Sequence, residues 1–333
     1  KVNSRPPFMR KIFKKALDMK IDEYKKTGMY KHILFDNLIF KDVRKALGGR
    51  VRFMLVGSAP IDGNLLNFLR CSLSVEIMEG YGQTENVAGA LLSNTCDPVT
   101  DHLGGPGWWT EIKLVDKPDL GYTSKNIDNE TGKSRPSGEL CVRGTSLFQG
   151  YFRDPEKTKE AIDKDGWLHS GDIAMIIPEH GNSIRIVDRV KNIFKLQQGE
   201  YVSPEKIENV YDSCKYIEQI FVYGNSLKNY LVCIVYPKIN DIINYFKNKG
   251  INVDINNCKD YFEDKDLKND IIKEMENHGR KNGLYGFELP KKVYLFKERF
   301  SVENQLITPT MKIRRHIAKK TFEEQINKMY EIE

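Results

Sequence analysis

The chain has 333 residues, enough for two folded domains, because single hydrophobic cores rarely grow beyond about 250–300 residues. Its net charge is +6, with 52 basic and 46 acidic residues interspersed along the sequence. No basic stripe is interleaved with aromatic residues, which argues against a nucleic-acid-binding protein. The mild basic excess suits a polyanionic ligand or a membrane surface, but an ordinary solvated surface is the simpler interpretation.

The 6 cysteines are widely spaced, without a C-x-x-C pair or a histidine pattern that would predict a zinc site. This distribution is typical of a reducing compartment. No apolar run approaches the roughly 20 residues needed to cross a bilayer, and the first residues lack the apolar core of a signal peptide. We therefore expect a soluble polypeptide in the cytoplasm.

The predicted elements begin with a helix, a strand and a second helix. Apolar residues recur at helical spacing from Phe8 to Tyr30 with lysines between them, and packing as a surface helix is favoured there over membrane binding. Arg50 to Gly57 reads as a strand that ends in the loop GSAP, and a loop in that position often faces a ligand. A helix is predicted from Leu65 to Cys71 and a short strand from Val75 to Met78.

The middle of the chain is rich in turn-forming residues. Leu120 to Pro136 is polar and is predicted to be an exposed loop. Strands are predicted from Gly138 to Gly144 and from Asn182 to Arg189, on either side of another turn-rich segment.

The pattern changes beyond Lys191. Ser203 is predicted to occupy the N-cap position of a helix whose first residue is Pro204. The remaining predicted elements complete a compact α+β unit, and they are the strands QIFVYG and YLVCIVYP, a helix from about Leu267 to Met275, and a strand from Lys292 to Phe296.

Two short motifs carry candidate chemistry. YGQTE, Tyr81 to Glu85, combines an aromatic face, a glycine, a hydroxyl and a carboxylate, which are groups that suit a nucleoside triphosphate and its metal ion. Taken alone, this string is equally compatible with a turn that carries a solvated glutamate. In GWLHSGD, the glycine-flanked Asp172 could accept both hydroxyls of a ribose or simply lie in a turn.

These motifs, with the segment Asp165 to Asn209 and the string ITPTMKIRR at Ile307 to Arg315, resemble long-chain fatty acyl-CoA synthetases of the adenylate-forming superfamily. The resemblance extends from about Phe35 to the C-terminus. It implies an α/β plus α+β fold, with the C-terminal part of the large AMP-binding domain followed by a small mobile lid domain.

The resemblance also implies domain boundaries and residue roles. Residues 1–188 would form the partial large domain, 189–191 the hinge with Lys191 at its pivot, and 192–333 the lid. The adenylation chemistry would involve Lys312, Glu85 and Thr84, with Glu85 holding Mg²⁺. The residues implied to bind the nucleotide are Gly57, Ser58, Ala59, Tyr81, Gly82, Thr84, Asp172, Arg189 and Lys312.

Individual roles follow from the same resemblance. Tyr81 would stack on adenine, Thr84 would bond the α-phosphate, and the Lys312 ammonium would lie between the substrate carboxylate and that phosphate. The loop that carries Gly199 and Glu200 would help to form the pantetheine channel in the second step.

The implied reaction is ATP-dependent activation of a long-chain fatty acid to acyl-CoA through an acyl-adenylate, with release of pyrophosphate and AMP. The implied partners are a fatty acid, ATP and coenzyme A, with Mg²⁺ as cofactor. The family's phosphate loop, of the type TSGTTGxPK, does not occur in these residues. We therefore expect the C-terminal part of a longer protein, inactive alone, with peripheral attachment to the cytosolic face of a membrane left open.

Two rival functions are a noncatalytic nucleotide- or acyl-binding module and an enzyme of the same fold that loads a carrier protein. The complete set of motif residues argues against the first, and QGEYVSPEKIE with PTMK favours the fatty-acyl-CoA branch over the second. Trp108 and Trp109 could line an acyl tunnel or pack in the core, and core packing is the preferred prediction.

Overall fold

A computed structural model describes residues 6–58, 61–128, 131–255 and 257–331. The chain divides into two compact units, one of Lys1–Lys117 with Tyr122–Ile186 and the other of Pro118–Gly121 with Val187–Glu333. Within the described ranges, no helix is long and apolar enough to cross a membrane.

The first unit begins with the predicted amphipathic helix. Its buried face includes Phe13, Leu17 and Tyr24, so the apolar pattern marks a packed helix. Lys20 lies on the same face, where its ammonium donates to Asp36 Oδ1 at 2.5 Å and to Ser74 Oγ at 2.8 Å. The helices of this unit are α1 (Pro7–Thr27), α2 (Ile33–Leu38), α3 (Lys41–Lys45), α4 (Gly63–Leu73) and α5 (Pro155–Ala161).

One sheet of the first unit brings together the two segments before the candidate nucleotide motifs. Its strands are, in order, β1 (Phe53–Val56), β2 (Glu76–Tyr81), β3 (Leu91–Leu92) and β4 (Gly105–Pro106). Strand β1 runs parallel to β2, with Val56 opposite Glu79. Because parallel strands end at the same edge, the loop after β1 and the YGQTE motif leave the sheet side by side.

The other sheet contains a strand that was not predicted. Its order is β5 (Thr110–Val115), β6 (Ser137–Gly144), β7 (Leu168–Ile177) and β8 (Ser183–Arg189). The segment before Asn182 was predicted to be rich in turns. That prediction is wrong for Leu168–Ile177, which form β7. The loop predicted from Leu120 to Pro136 consists mainly of turns in its described part, with isolated bridges between Lys117 and Tyr122 and between Ile127 and Ser134.

A β-bulge explains why β7 escaped prediction. Cys141 of β6 lies opposite His169, whereas Glu139 lies opposite Ile173, so β7 carries extra residues between these pairs. Gly171 in this bulge has φ +69°, a left-handed conformation that glycine adopts without a steric penalty. The bulge interrupts the period-2 pattern of the strand and makes its sequence resemble a turn.

The second unit is an α+β arrangement around a three-stranded sheet of order β11–β12–β13. The strands and the helix predicted for this unit are present, and the helix extends beyond its predicted limits. The elements are β9 (Phe194–Lys195), β10 (Tyr201–Val202), α6 (Pro204–Tyr211), β11 (Ile217–Tyr223), β12 (Leu231–Pro237), α7 (Ile239–Asn248), α8 (Lys265–Lys281), β13 (Pro290–Leu295), α9 (Arg315–Thr321) and α10 (Glu323–Glu331).

Both faces of this sheet are buried. On β12, Cys233 and Val235 belong to one apolar cluster, and Val232 and Ile234 belong to another that includes Phe322. Successive residues of a strand point to opposite faces, so a sheet covered on both sides requires a continuous apolar run. This requirement accounts for the sequence LVCIV in β12.

The N-terminus of α6 is capped by a residue far from it in sequence. Ser203 occupies the N-cap position, but its side chain does not bond the helix amides. Asp188 is 1% exposed, and its Oδ2 accepts from the Glu205 N–H at 2.9 Å and from Ser203 Oγ at 2.7 Å. The predicted N-cap position of Ser203 is therefore confirmed, and the charged acceptor of Asp188 takes the amide that an N-cap side chain usually bonds.

We expect Asp188→Ala to lower the free energy of local unfolding of α6 by roughly 3 kcal/mol, because the Ser203 hydroxyl and the Glu205 N–H would lose their acceptor. Hydrogen exchange of the amides in Pro204–Tyr211 measures this change. The matched control, Ser203→Ala, should cost about 1 kcal/mol, since Asp188 keeps its bond to the Glu205 amide. An equal or larger loss in Ser203→Ala would contradict the assignment of the cap.

Candidate active site

The predicted ribose-binding carboxylate is joined to the YGQTE motif. Asp172 is 5% exposed, and its Oδ2 accepts from Tyr81 Oη at 2.5 Å and from Gln83 Nε2 at 2.8 Å. Gln83 Nε2 also donates to the Ser170 carbonyl at 2.9 Å. Two donors on one buried oxygen compensate for its lost hydration and restrict the orientation of the carboxylate.

Gln83 was not singled out in the sequence. Its terminal amide carries two donor hydrogens, one for the Ser170 carbonyl and one for Asp172 Oδ2, and both acceptors lie on β7. Its backbone N–H donates to Asn86 Oδ1 at 2.7 Å and begins the short 3₁₀ turn Thr84–Asn86. Gln83 thus links this turn to Asp172, and its place in the middle of YGQTE was the only sequence signal for it.

The backbone after YGQTE is tightly constrained. A Cβ on Gly82 would lie 2.2 Å from the carbonyl carbon of Ala88, so only glycine fits there. Val87 and Ala88 have φ of +53° and +65°. A β-branched residue in the left-handed region is strained, and such strain persists only where the surrounding structure imposes it. The result is a fixed turn on which Thr84 is exposed.

The Glu85 carboxylate accepts a hydrogen bond from Tyr151, an aromatic residue that lies in none of the sequence motifs. Tyr151 Oη donates to Glu85 Oε1 at 2.7 Å, and the Phe148 N–H donates to the Glu85 carbonyl at 2.8 Å. The bond to this carboxylate raises the pKa of Tyr151 to about 12. Among the residues that the structure describes, Glu85 Oε2 accepts no hydrogen bond, and it is the oxygen that a metal ion could take.

The loop after β1 lies beside the end of β2. A Cβ on Gly57 would lie 3.3 Å from the Gly80 carbonyl oxygen, so the two segments are in close contact. Ser58 is exposed and has φ +70°. Ala59, the third residue predicted for this loop, lies outside the described residues.

The other predicted residues belong to the second unit or to the strand that leads into it. Arg189 and Lys191 are exposed at and after the end of β8. Gly199 has φ +97° in the hairpin between β9 and β10, where the Leu196 N–H donates to the Glu200 carbonyl at 2.8 Å. The hinge and channel roles of these residues stay predictions.

Lys312 follows a tight turn in the second unit. The Thr308 N–H donates to the Lys312 carbonyl at 2.8 Å, and the Lys312 N–H donates to Thr308 Oγ1 at 3.1 Å. Met311 between them has φ +65°. The Lys312 side chain is exposed, and its catalytic role stays a prediction.

The preference for core packing is wrong for Trp108, whose side chain is 93% exposed. Trp109 is half-buried, and its Nε1 donates to the Gly89 carbonyl at 2.7 Å. The bond to Gly89 accounts for the orientation of Trp109, because a buried indole N–H requires an acceptor.

The Glu85–Tyr151 contact predicts a measurable titration. We expect Glu85→Gln to move the pKa of Tyr151 from about 12 toward its ordinary value of 10.0, because the phenolate would no longer face a negative charge. NMR of ¹³C-labelled tyrosine measures this pKa, and Tyr151→Phe identifies the resonance. Glu111→Gln, which removes an exposed carboxylate paired with Arg143, should leave the titration unchanged. An unaltered Tyr151 pKa in Glu85→Gln would contradict the contact.

Comparison with known proteins identifies relatives of this chain. Residues 2–152 match the family described as AMP-binding enzyme. The chain is 38% identical over 328 residues to "Long-chain-fatty-acid--CoA ligase 5" of Rattus norvegicus, covering 98% of this chain and 46% of the relative. It is 42% identical over 297 residues to "Long-chain-fatty-acid--CoA ligase 1" of Homo sapiens, covering 89% of this chain and 40% of the relative.

A solved structure has the same fold. The A domain of carboxylic acid reductase from Segniliparus rugosus, in complex with AMP and a co-purified carboxylic acid, has a TM-score of 0.72 at 27% identity and covers 96% of this chain and 46% of that chain. This likeness confirms the predicted fold of an adenylate-forming enzyme. The chain spans less than half the length of these curated relatives. It therefore matches the AMP-binding enzyme family over residues 2–152 and is similar, over most of its length, to one part of proteins named as long-chain-fatty-acid–CoA ligases.

Proposed function

We propose that the protein containing this chain activates long-chain fatty acids to acyl-CoA in two steps. The fatty acid carboxylate attacks the α-phosphorus of ATP to give acyl-adenylate and pyrophosphate, and the thiol of coenzyme A then displaces AMP. The observation that carries this proposal is the identity of 38% over 98% of the chain to a protein named as a long-chain-fatty-acid–CoA ligase. The AMP and carboxylic acid in the related A domain support the acyl-adenylate step.

The nucleotide is proposed to bind where β1 and β2 end. Asp172 would accept the ribose hydroxyls, and the bonds from Tyr81 and Gln83 support this role by restricting its carboxylate before the nucleotide arrives. Tyr81 would stack on adenine, with Gly57, Ser58 and Ala59 on the other side of the base. Gly82 allows the close backbone approach in this turn, and the exposed Thr84 hydroxyl would bond the α-phosphate.

The residues present fit Mg²⁺, which is commonly bound by one or two carboxylates together with substrate phosphates. Glu85 would hold the ion through Oε2, since Tyr151 already bonds Oε1. Mg²⁺ bound there would neutralise part of the triphosphate charge. Tyr151 would keep the carboxylate in one orientation, because its bond holds the other oxygen.

The lid residues would act in turn. Lys312, at the end of its tight turn, would draw the carboxylate toward the α-phosphate and stabilise the charge of the first transition state. Arg189 would contact the ribose or phosphate, and rotation about Lys191 within 189–191 would withdraw Lys312 after adenylation. The loop with Gly199 and Glu200 would then border the pantetheine arm of coenzyme A.

The proposed location is the cytosolic face of a membrane. Long-chain fatty acids partition into bilayers, because each buried CH₂ group contributes about 0.8 kcal/mol. An enzyme that collects its substrate there gains access to a high local concentration of it.

A second candidate is an adenylating enzyme that transfers its product to a carrier protein. The likeness to the carboxylic acid reductase A domain favours it, with a TM-score of 0.72. The main test incubates the intact protein with ATP, Mg²⁺ and fatty acids of several chain lengths, with either coenzyme A or a phosphopantetheinylated carrier. We expect acyl-CoA and AMP. Acyl-adenylate with transfer only to the carrier would support the second candidate, and no adenylate would contradict both.

Lys312 provides a test of the division between the two steps. We expect Lys312→Ala in the intact protein to reduce fatty-acid-dependent pyrophosphate exchange on the order of 10²–10³-fold, the usual effect of losing one preorganised donor. Thioester formation from supplied acyl-adenylate should be spared, because the lysine acts only in the first step. The control is Lys319→Ala, which removes another exposed cation of the same basic region. Equal loss of both steps in Lys312→Ala would contradict this assignment.

A further inference from the structure

Strand pairing assembles a cluster of potential metal ligands that sequence spacing did not reveal. Glu139 and Cys141 are two residues apart on β6, so their side chains lie on the same face of the sheet. His169 of β7 lies directly opposite Cys141. One donor atom from each of these three residues lies within 4.8 Å of the other two.

Two of the three distances in this cluster match the edges of a tetrahedral zinc site. Cys141 Sγ lies 3.5 Å from His169 Nδ1, and the same nitrogen lies 3.3 Å from Glu139 Oε2. With Zn–S of about 2.3 Å and Zn–N and Zn–O of about 2.0–2.1 Å, a tetrahedron has an S···N edge of about 3.5 Å and an N···O edge of about 3.3 Å. Little movement of these atoms would therefore be needed to bind an ion.

The groups around the cluster also resemble the surroundings of a metal site. His169 Nε2 lies 3.5 Å from Asp163 Oδ2, so a proton on this nitrogen would face a carboxylate and leave Nδ1 to bind the ion. Asp163 is itself held by the Trp167 N–H, which donates to its Oδ1 at 2.8 Å. Glu139 Oε1 accepts from the Gly171 N–H at 3.2 Å, which leaves Oε2 to face the ion.

We propose that Glu139, Cys141 and His169 bind a divalent zinc-type ion, with a water molecule as the fourth ligand. Thiolate and imidazole select Zn²⁺ over Mg²⁺, so this site is distinct in chemistry from the oxygen ligand at Glu85. The ion connects β6 to β7 beside the bulge that contains Gly171 and precedes Asp172. Metal binding at this position therefore stabilises the strand that presents the candidate ribose ligand.

Two features of the apo cluster oppose the ion and limit its affinity. The Lys117 ammonium lies 2.7 Å from Glu139 Oε2 and must move away before a cation binds there. Its side chain is 30% exposed and can extend toward solvent. Burial raises the pKa of the Cys141 thiol to about 12, so the ion displaces a proton from sulfur as it binds.

The test is a titration of the intact, reduced and metal-free protein with Co²⁺, in the presence of excess Mg²⁺ to occupy oxygen sites. We expect a thiolate-to-cobalt charge-transfer band that is lost when Zn²⁺ is added. Cys141→Ser should abolish this band. The matched control is Cys71→Ser, because Cys71 is also buried in the first unit and burial raises its pKa to about 11. Absence of the band, or its loss in Cys71→Ser, would overturn the proposal.

Three further variants separate metal binding from folding, and circular dichroism verifies that each variant is folded. His169→Asn should weaken Co²⁺ binding by more than about 100-fold, beyond the effect expected for an outer residue. Asp163→Asn should weaken it about 10-fold, the usual effect of removing an orienting carboxylate. Lys117→Met should tighten it, because a competing cation is lost. If the cluster is only a set of ion pairs, these three substitutions should leave the affinity for Co²⁺ unchanged. That result would overturn the proposal.

Discussion

The first unit depends on the buried carboxylate of Asp172, which accepts hydrogen bonds from both Tyr81 and Gln83. These bonds join β7 to the end of β2 across 91 residues of sequence. A carboxylate with 5% exposure needs such donors, because burial of an unpaired polar group is costly. The strained turn at Val87 and Ala88 and the bulge at Gly171 are local distortions that accompany this junction.

A buried aspartate has a comparable structural role in the second unit. Asp188 bonds Ser203 and the first turn of α6, and its Oδ1 accepts from the Arg189 N–H at 2.6 Å. The residue that precedes the proposed hinge is therefore anchored to the second unit. A rotation about Lys191 would have to break the bonds to Ser203 and Glu205, because Asp188 precedes the pivot in the chain and both partners follow it. The proposed rotation therefore carries the cost of separating a buried carboxylate from its donors.

Elements with strong local periodicity were predictable from the sequence. The lysine-interrupted apolar pattern identified α1, and the continuous apolar run of β12 identified a buried strand. Prediction failed where long-range contacts override local signals. A bulge interrupts the pattern of β7, and Trp108 lies exposed although tryptophan is usually well buried. Neither outcome is decided by the composition of its own segment alone.

The sequence by itself determined which chemical groups are available for the proposed adenylation, since YGQTE, GWLHSGD and PTMK are contiguous strings whose composition can be read directly. Only the tertiary structure decided how those groups are held. The junction of Tyr81, Gln83 and Asp172, the bond between Tyr151 and Glu85, and the cluster around Cys141 all depend on strand register and turn geometry. Register is set by pairing between distant segments, and that pairing is not encoded in the spacing of residues along one strand.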